Sequence, residues 1–221
     1  MGDILRNYDI LGAFWVTIQL SVLSAVGALV IGTVIAVLRV SPVGILRTIG
    51  SLYVNLIRNT PLTLLMAFSI LGMTFILGLQ LDEQATRNAY WWAVIMLAVY
   101  HAAFVCEALR SGVNTIPAGQ AEAARSIGLT FAQSMREVLL PQAFRGSIAP
   151  LGSVLIALIK NTTVAAVILG TAESAGLLAE ITENEGASLP TFFIFALGFV
   201  ILTLPIGIAT TNLSRRLSVK R

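Results

Sequence analysis

A chain of 221 residues that is 57% hydrophobic and only 11% charged, with mean hydropathy +0.87, is not a water-soluble domain, where about 25% of residues are charged. One histidine and one cysteine exclude a disulfide framework and leave no metal or nucleophile constellation. A net charge of +3 does not argue for nucleic acid, because the placement of that charge follows membrane topology.

Five apolar segments are long enough to cross about 30 Å of hydrocarbon at about 1.5 Å per residue, with limits near 13–38, 50–79, 89–110, 146–170 and 190–213. They predict an all-α integral membrane protein, one transmembrane domain over residues 1–221. The first segment is too long for a signal peptide and has no convincing cleavage site, so it stays as a span. It carries Ala28, Gly32 and Ala36 at four-residue spacing, a stripe that permits close helix contact.

The second segment is too long for a straight crossing. Pro61, with Thr60 as its cap, kinks it or restarts the spanning part, which leaves 50–59 at the interface. Arg58, Asn59 and Thr60 combine a cation, an amide and a helix start, and read either as part of a substrate pathway or as an interfacial anchor. In the third segment Trp91 and Trp92 stand where outer-interface anchors stand. His101 lies deeper and is a packing residue or a pathway residue. Glu107, nearer the inner end, is placed to pair with Arg110 on the adjacent turn.

Between the third and fourth segments runs the longest polar interval, Pro117 to Pro141. It predicts two short helices with a break. Pro117 suits a first turn, Gly128 the left-handed residue that ends the first helix, and Thr130 with Gln133 a capping box on the second. Pro141 marks a stop or a kink. Such a knuckle between apolar spans is made to touch another protein. In the fourth segment Lys160 sits at mid-depth, followed by Asn161, Thr162 and Thr163. Its distance from either proposed end is roughly 15 Å, far for a snorkelling stem. Polar residues at this depth are functional candidates, and the cluster can hold a substrate carboxylate where the helix loosens. Glu107 falls roughly 10 Å below it along the helix axis, so a direct pair between them is not expected.

Charge orients the spans. Arg39 and Arg47, then Arg110, Arg125, Arg136 and Arg145, then Arg215, Arg216, Lys220 and Arg221 fall on one side. The other side has Asp3, Arg6 and Asp9, then Asp82, Glu83 and Arg87, then Glu173, Glu180, Glu183 and Glu185. The bias predicts an N-terminus outside, a C-terminus inside and a cytoplasmic knuckle.

The knuckle also resembles a known motif. Glu122-Ala123-Ala124, Gly128 and Val138-Leu139-Leu140-Pro141 follow the E-A-A-x3-G-x9-I-x-L-P pattern of ABC-importer permeases, with Val138 in place of Ile. In that family this is the coupling loop, which implies ATPase contact through Gln120, Glu122, Ala123, Ala124, Gly128 and Pro141. The resemblance extends to the polar amino acid subgroup. Arg58-Asn59-Thr60-Pro61-Leu62 is similar to R-G-T-P-L, Glu107, Arg110 and Gly112 to A-E-x-x-R-x-G, and Lys160-Asn161-Thr162-Thr163 to K-D/N-T-S/T. Asn59 replaces a glycine and Cys106 an alanine. Arg-Val-Ser-Pro at 39–42 and Ile-Leu-Thr-Leu-Pro at 201–205 look most like glutamate-uptake permeases.

That resemblance implies a multi-pass permease of the cell membrane, part of an ATP-driven importer for polar amino acids, with glutamate expected. It implies a substrate pathway that includes Lys160, Asn161, Thr162, Arg58, Asn59, Thr60, Glu107 and His101. It also implies a second permease (identical or related), two cytoplasmic ATPase subunits and an external solute-binding protein. The chain has no Gly-x4-Gly-Lys-Ser/Thr loop, so it cannot itself bind ATP by a P-loop, and the resemblance implies a transport subunit rather than an enzyme, with ATP and Mg on the ATPase. The alternative is an ion-coupled secondary carrier working without an ATPase. Against it stand the missing internal repeat and the lack of paired mid-membrane carboxylates.

Overall fold

A computed structural model describes residues 6–217. Asp3, Lys220 and Arg221, used in the charge argument, lie outside the described residues. Helix α1 (Ile10–Val40) starts where the Asp9 carboxylate accepts the Gly12 N–H at 2.8 Å, and ends at Ser41 before Pro42. Helix α2 (Gly44–Arg58) meets α3 (Leu62–Phe68) and its π-helical continuation Ser69–Ile76 at an angle of 97°. The break falls at Pro61, as expected, but the first leg starts at Gly44 rather than 50. Thr60 is not the cap: Pro61 holds that position, and the Thr60 hydroxyl donates back to Leu56 O within the preceding turn.

Helix α4 (Ala85–Val113) is the third span and the hub, the most deeply buried of the long helices among the described residues. Next come α5 (Ala118–Ser126), the single turn α6 (Phe131–Gln133), a π-helical stretch Ser134–Leu139 and α7 (Leu140–Gly146). Pro141 does not stop this run. Leu140 N–H reaches back five residues to Met135 O, and the widened turn absorbs the proline ring and its missing donor. Helix α8 (Ile148–Asn161) gives way to a tight 3-10 stretch Thr162–Ala165, then α9 (Ala166–Leu169) and the turn Gly170–Ala172. Helix α10 (Ser174–Glu185) occupies an interval read from sequence only as acidic, and α11 (Leu189–Leu217) is the last span.

Close approaches fix the directions of the spans. Ser24 donates to Val94 O, a Cβ on Gly27 would meet Ala98, and one on Gly32 would meet Val105, so α1 and α4 run parallel. The Ala28, Gly32, Ala36 stripe is the surface through which they touch, and all three residues are buried. Ser147 donates to Ala108 O while Asn161 meets His101, so α8 runs antiparallel to α4. Gly152 lies against Thr210 and Gly207 near Ile156, which makes α11 antiparallel to α8. The first and third spans therefore run in one direction with the fifth, and the fourth runs opposite to them.

The core has three parts. Leu20, Met66 and Leu97 centre one, Ala28, Val54 and Leu109 a second, and Ile181 with Phe195 a third that seats α10 on the start of α1. Trp92 belongs to the first and is buried, so of the two tryptophans only Trp91 faces outward as an anchor would. The pair are neighbours on a helix, about 100° apart, and cannot both face outward.

Candidate functional site

Two regions carry the polar chemistry. In the knuckle, α5 closes with a Schellman arrangement: Leu129 N–H donates to Ala124 O at 3.1 Å and Gly128 N–H to Arg125 O at 2.9 Å. Gly128 has φ +85°, a conformation that side-chain-bearing residues rarely adopt. Thr130 and Gln133 form the expected reciprocal capping box. Pro117 sits one position before the helix, as its N-cap, rather than in its first turn. Ala124 is buried, whereas Gln120, Glu122, Ala123, Gly128 and Pro141 are exposed. Ile127, 78% exposed, gives the knuckle an unpartnered apolar tip beside the charge of Arg125.

The second region surrounds α4. His101 is buried; its Nδ1 lies 2.9 Å from Leu97 O and its Nε2 3.1 Å from Asn161 Nδ2. A neutral ring with the proton on Nδ1 satisfies both contacts, donating to the carbonyl and accepting from the amide. His101 and Asn161 line a cavity of about 380 Å³ with Tyr100, Phe104 and Ser153. The Lys160, Asn161, Thr162 trio does not act as one cluster. Successive helical residues point about 100° apart. Asn161 alone lines this cavity, Thr162 is buried with its hydroxyl on Ile159 O, and Lys160 is exposed. The Lys160 side chain has no hydrogen bond or ion pair among the described residues. The helix tightens to 3-10 pitch directly after it.

Below the cavity, Glu107 gathers three arginines. Arg110 donates to Oε2 through Nε and Nη2 at 3.1 and 2.9 Å, the pairing expected from sequence. Arg39 Nη1 donates to Oε1, and Arg58 Nη1 stands 3.6 Å from the same oxygen. The Arg58 guanidinium also lies over the Phe104 ring, 5.5 Å from its centroid. Thus Arg58 and Glu107 come together, while Asn59 and Thr60 turn back onto α2, bonding Asn55 O and Leu56 O. Arg39 was missed as a site residue. Its position at the end of the first span was the available signal, but no local pattern links it to a residue 68 positions away.

At the opposite end a second cavity, about 500 Å³, is lined by Thr74, Gln80, Asp82, Glu83 and Asn88 among apolar residues. The Gln84 N–H donates to Asp82, and Arg87 adds a further donor, so this carboxyl is held below its usual range.

Comparison with known proteins places these features. The family described as "Binding-protein-dependent transport system inner membrane component" matches residues 28–219. The chain is 49% identical to the glutamate transport system permease protein GluC of Corynebacterium glutamicum, over 96% of each chain. It is 30% identical to the glutamate/aspartate import permease protein GltJ of Escherichia coli, covering 95% of this chain and 89% of that one. Among solved structures, a crystal structure of an amino acid ABC transporter with histidines aligns with a TM-score of 0.78 at 26% identity, over 94% of this chain and 93% of that chain. None of these similarities supports a carrier working without an ATPase. The chain belongs to the family of binding-protein-dependent transport system inner membrane components.

Proposed function

We propose that this chain is the permease subunit of an ATP-driven importer whose substrate is glutamate. The observation that carries the substrate is the 49% identity, spread over nearly the whole of both chains, to a permease named for glutamate transport. In this reading the chain is a single transmembrane domain and half of the translocation unit. A second permease, identical or related, faces it; two ATPase subunits bind below and an external solute-binding protein delivers the amino acid. ATP and Mg sit on the ATPase subunits.

Gln120, Glu122, Ala123, Ala124, Gly128 and Pro141 form the surface or the frame that the ATPase grips. The exposed Ile127 tip and the rigid turn at Gly128 support that role. Closure of the ATPase pair moves the knuckle, which is coupled to the bundle through α7 and the contact of Gly146 with Gly112 on α4. The substrate path runs beside His101, Asn161 and Lys160 on one side and Arg58, Asn59, Thr60 and Glu107 on the other, with Thr162 shaping the loosened helix. The alternation of the spans and the arginine-rich end support an N-terminus outside and a cytoplasmic knuckle.

The test uses the complete importer in proteoliposomes. Gly128→Asp, which places a side chain at a positive φ, and Glu122→Lys, which reverses an exposed charge, are expected to leave membrane levels normal. ATP hydrolysis then continues while glutamate uptake falls at least tenfold. Unchanged uptake in both variants removes the coupling assignment. Orientation is read separately in a Cys106→Ala background. Cysteines at Asp82 and Glu185 should label from outside, and one at Ser126 only from the cytoplasm.

A further inference from the structure

The turn before Pro141 is one residue too wide for an α-helix. Leu140 N–H donates to Met135 O across five residues, in the π-helical stretch Ser134–Leu139. The extra residue changes which side chains face inward. In an uninterrupted α-helix Arg136 would stand two turns before Ala143 and about 20° from it, on the side that Ala143 buries. The widened turn brings Met135 there instead. Met135 is 3% exposed, whereas the Arg136 side chain is 86% exposed and pairs with Glu137 at 3.4 Å. On one side of this turn, α7 is fixed to the bundle: Ser147 donates to Ala108 O, and Ala143 and Ser147 close on Gly112. On the other side, α5 of the knuckle packs on the π-helical stretch. The wide turn is the joint between the two.

We propose that Pro141 is a positioning residue: by holding this turn open it sets the rotation of the knuckle on the bundle, with Met135 inward and the charged pair Arg136 and Glu137 outward. The inference rests on the reading of the knuckle as the ATPase contact and deepens it, because Pro141 then aims the contact residues without being one of them. Its ring is exposed, so it acts through the backbone rather than by filling the core. A proline inside a helix clashes with the carbonyl four residues back, here that of Glu137, and supplies no N–H. Opening the turn moves that carbonyl aside, and the Gln142 side-chain amide donates to Val138 O at 2.9 Å across the opened turn. Without the ring, an ordinary α-helical turn becomes available. It would rotate the knuckle by one residue, about 100°, and turn the Arg136 charge inward.

The proposal predicts that a deleted residue can stand in for the ring. ATP hydrolysis and glutamate uptake are read together on the complete importer in proteoliposomes. Pro141→Ala should keep hydrolysis within twofold and lower uptake at least fivefold. Deleting Glu137, an exposed residue, makes the step from Met135 to Leu140 four residues long. Beside an intact Pro141 this deletion should also lower uptake at least fivefold. Combined with Pro141→Ala it should restore uptake to within twofold of wild type, because an α-helical turn then presents Met135 inward again. Glu137→Ala, which keeps the length, should transport normally. In a Cys106→Ala background, Arg136→Cys should react with a maleimide at least tenfold faster than Met135→Cys, and Pro141→Ala should reverse that order. A loss of uptake in Pro141→Ala that the deletion does not repair, with the order of labelling unchanged, would make Pro141 a contact for the ATPase and overturn the proposal. Unchanged uptake in Pro141→Ala would also overturn it, even if the deletion variants do not assemble. Uptake unaffected by Pro141→Ala, Gly128→Asp and Glu122→Lys alike would remove the ATPase reading of the knuckle as well.

Discussion

The protein buries two carboxylates in opposite manners. Glu107 sits among three arginines, with its side chain 23% exposed. Glu173 is completely buried, and no cation reaches it among the described residues. Its Oε1 accepts from the hydroxyls of Thr17 (3.1 Å) and Ser174 (2.7 Å), and its Oε2 from the Ala175 N–H at 2.7 Å. It caps α10 and at the same time ties that helix and the end of the fourth span to α1. Neutral donors act only at contact and in one geometry, so they pin elements together. Charged donors act over distance and exchange partners at little loss, so they suit a place where a ligand must enter. The same side chain is thus held by neutral donors in one region and by charged ones in the other.

Four measurements can break or sharpen that contrast, all read as thermal midpoints of the purified complex in detergent unless stated. The largest effect is expected from Glu173→Ala. It removes an acceptor shared by the Thr17 and Ser174 hydroxyls and a helix cap, a loss of about 2–3 kcal/mol, insensitive to salt. A small loss there would show that α10 is held by its apolar face alone. Glu107→Ala comes next, at about 1–2 kcal/mol, discounted because the site is partly open to solvent. Its deficit reflects three cations left facing one another, so raising the salt concentration should shrink it, whereas a salt-independent loss would equate the two carboxylates. Thr17→Val, close in shape, removes one donor from Glu173 and should lower stability by about 1 kcal/mol. The smallest effect is expected at the outer loop, where Arg87 and Asp82 pair at 3.0 Å with Arg87 60% exposed. Arg87→Ala should leave the midpoint unchanged, and a clear drop would show that exposed pairs matter more here than their solvation suggests.

Much of the knuckle was legible in the sequence. Gly128 at positive φ and the Thr130–Gln133 box are encoded within a few residues, and each forms from neighbours alone. The five apolar segments, the break at Pro61 and the Ala28, Gly32, Ala36 stripe were legible for the same reason. That Pro141 does not stop the helix was not legible, because this depends on whether the turns before it can widen, and those turns are packed through Ser134 and Met135. Helix α10 was missed because its apolar face, Leu177 and Ile181, is too short to stand out inside an acidic interval.

The grouping of the polar residues in the apolar segments was not visible in the sequence. His101 joins Asn161, Arg58 joins Glu107, Arg39 enters the cluster, and Lys160 stands apart. By itself the sequence determined where the long apolar segments lie, where the second one breaks and which interval is polar. These follow from run length, helix-breaking residues and charge bias, all read along the chain. Which faces meet was decided only in the tertiary structure. A helix that is apolar all round carries no stripe to reveal its rotation, so the faces of α1 and α4 are set by where Gly27 and Gly32 let the backbones close. That contact brings Arg39 to Glu107 across 68 positions of sequence.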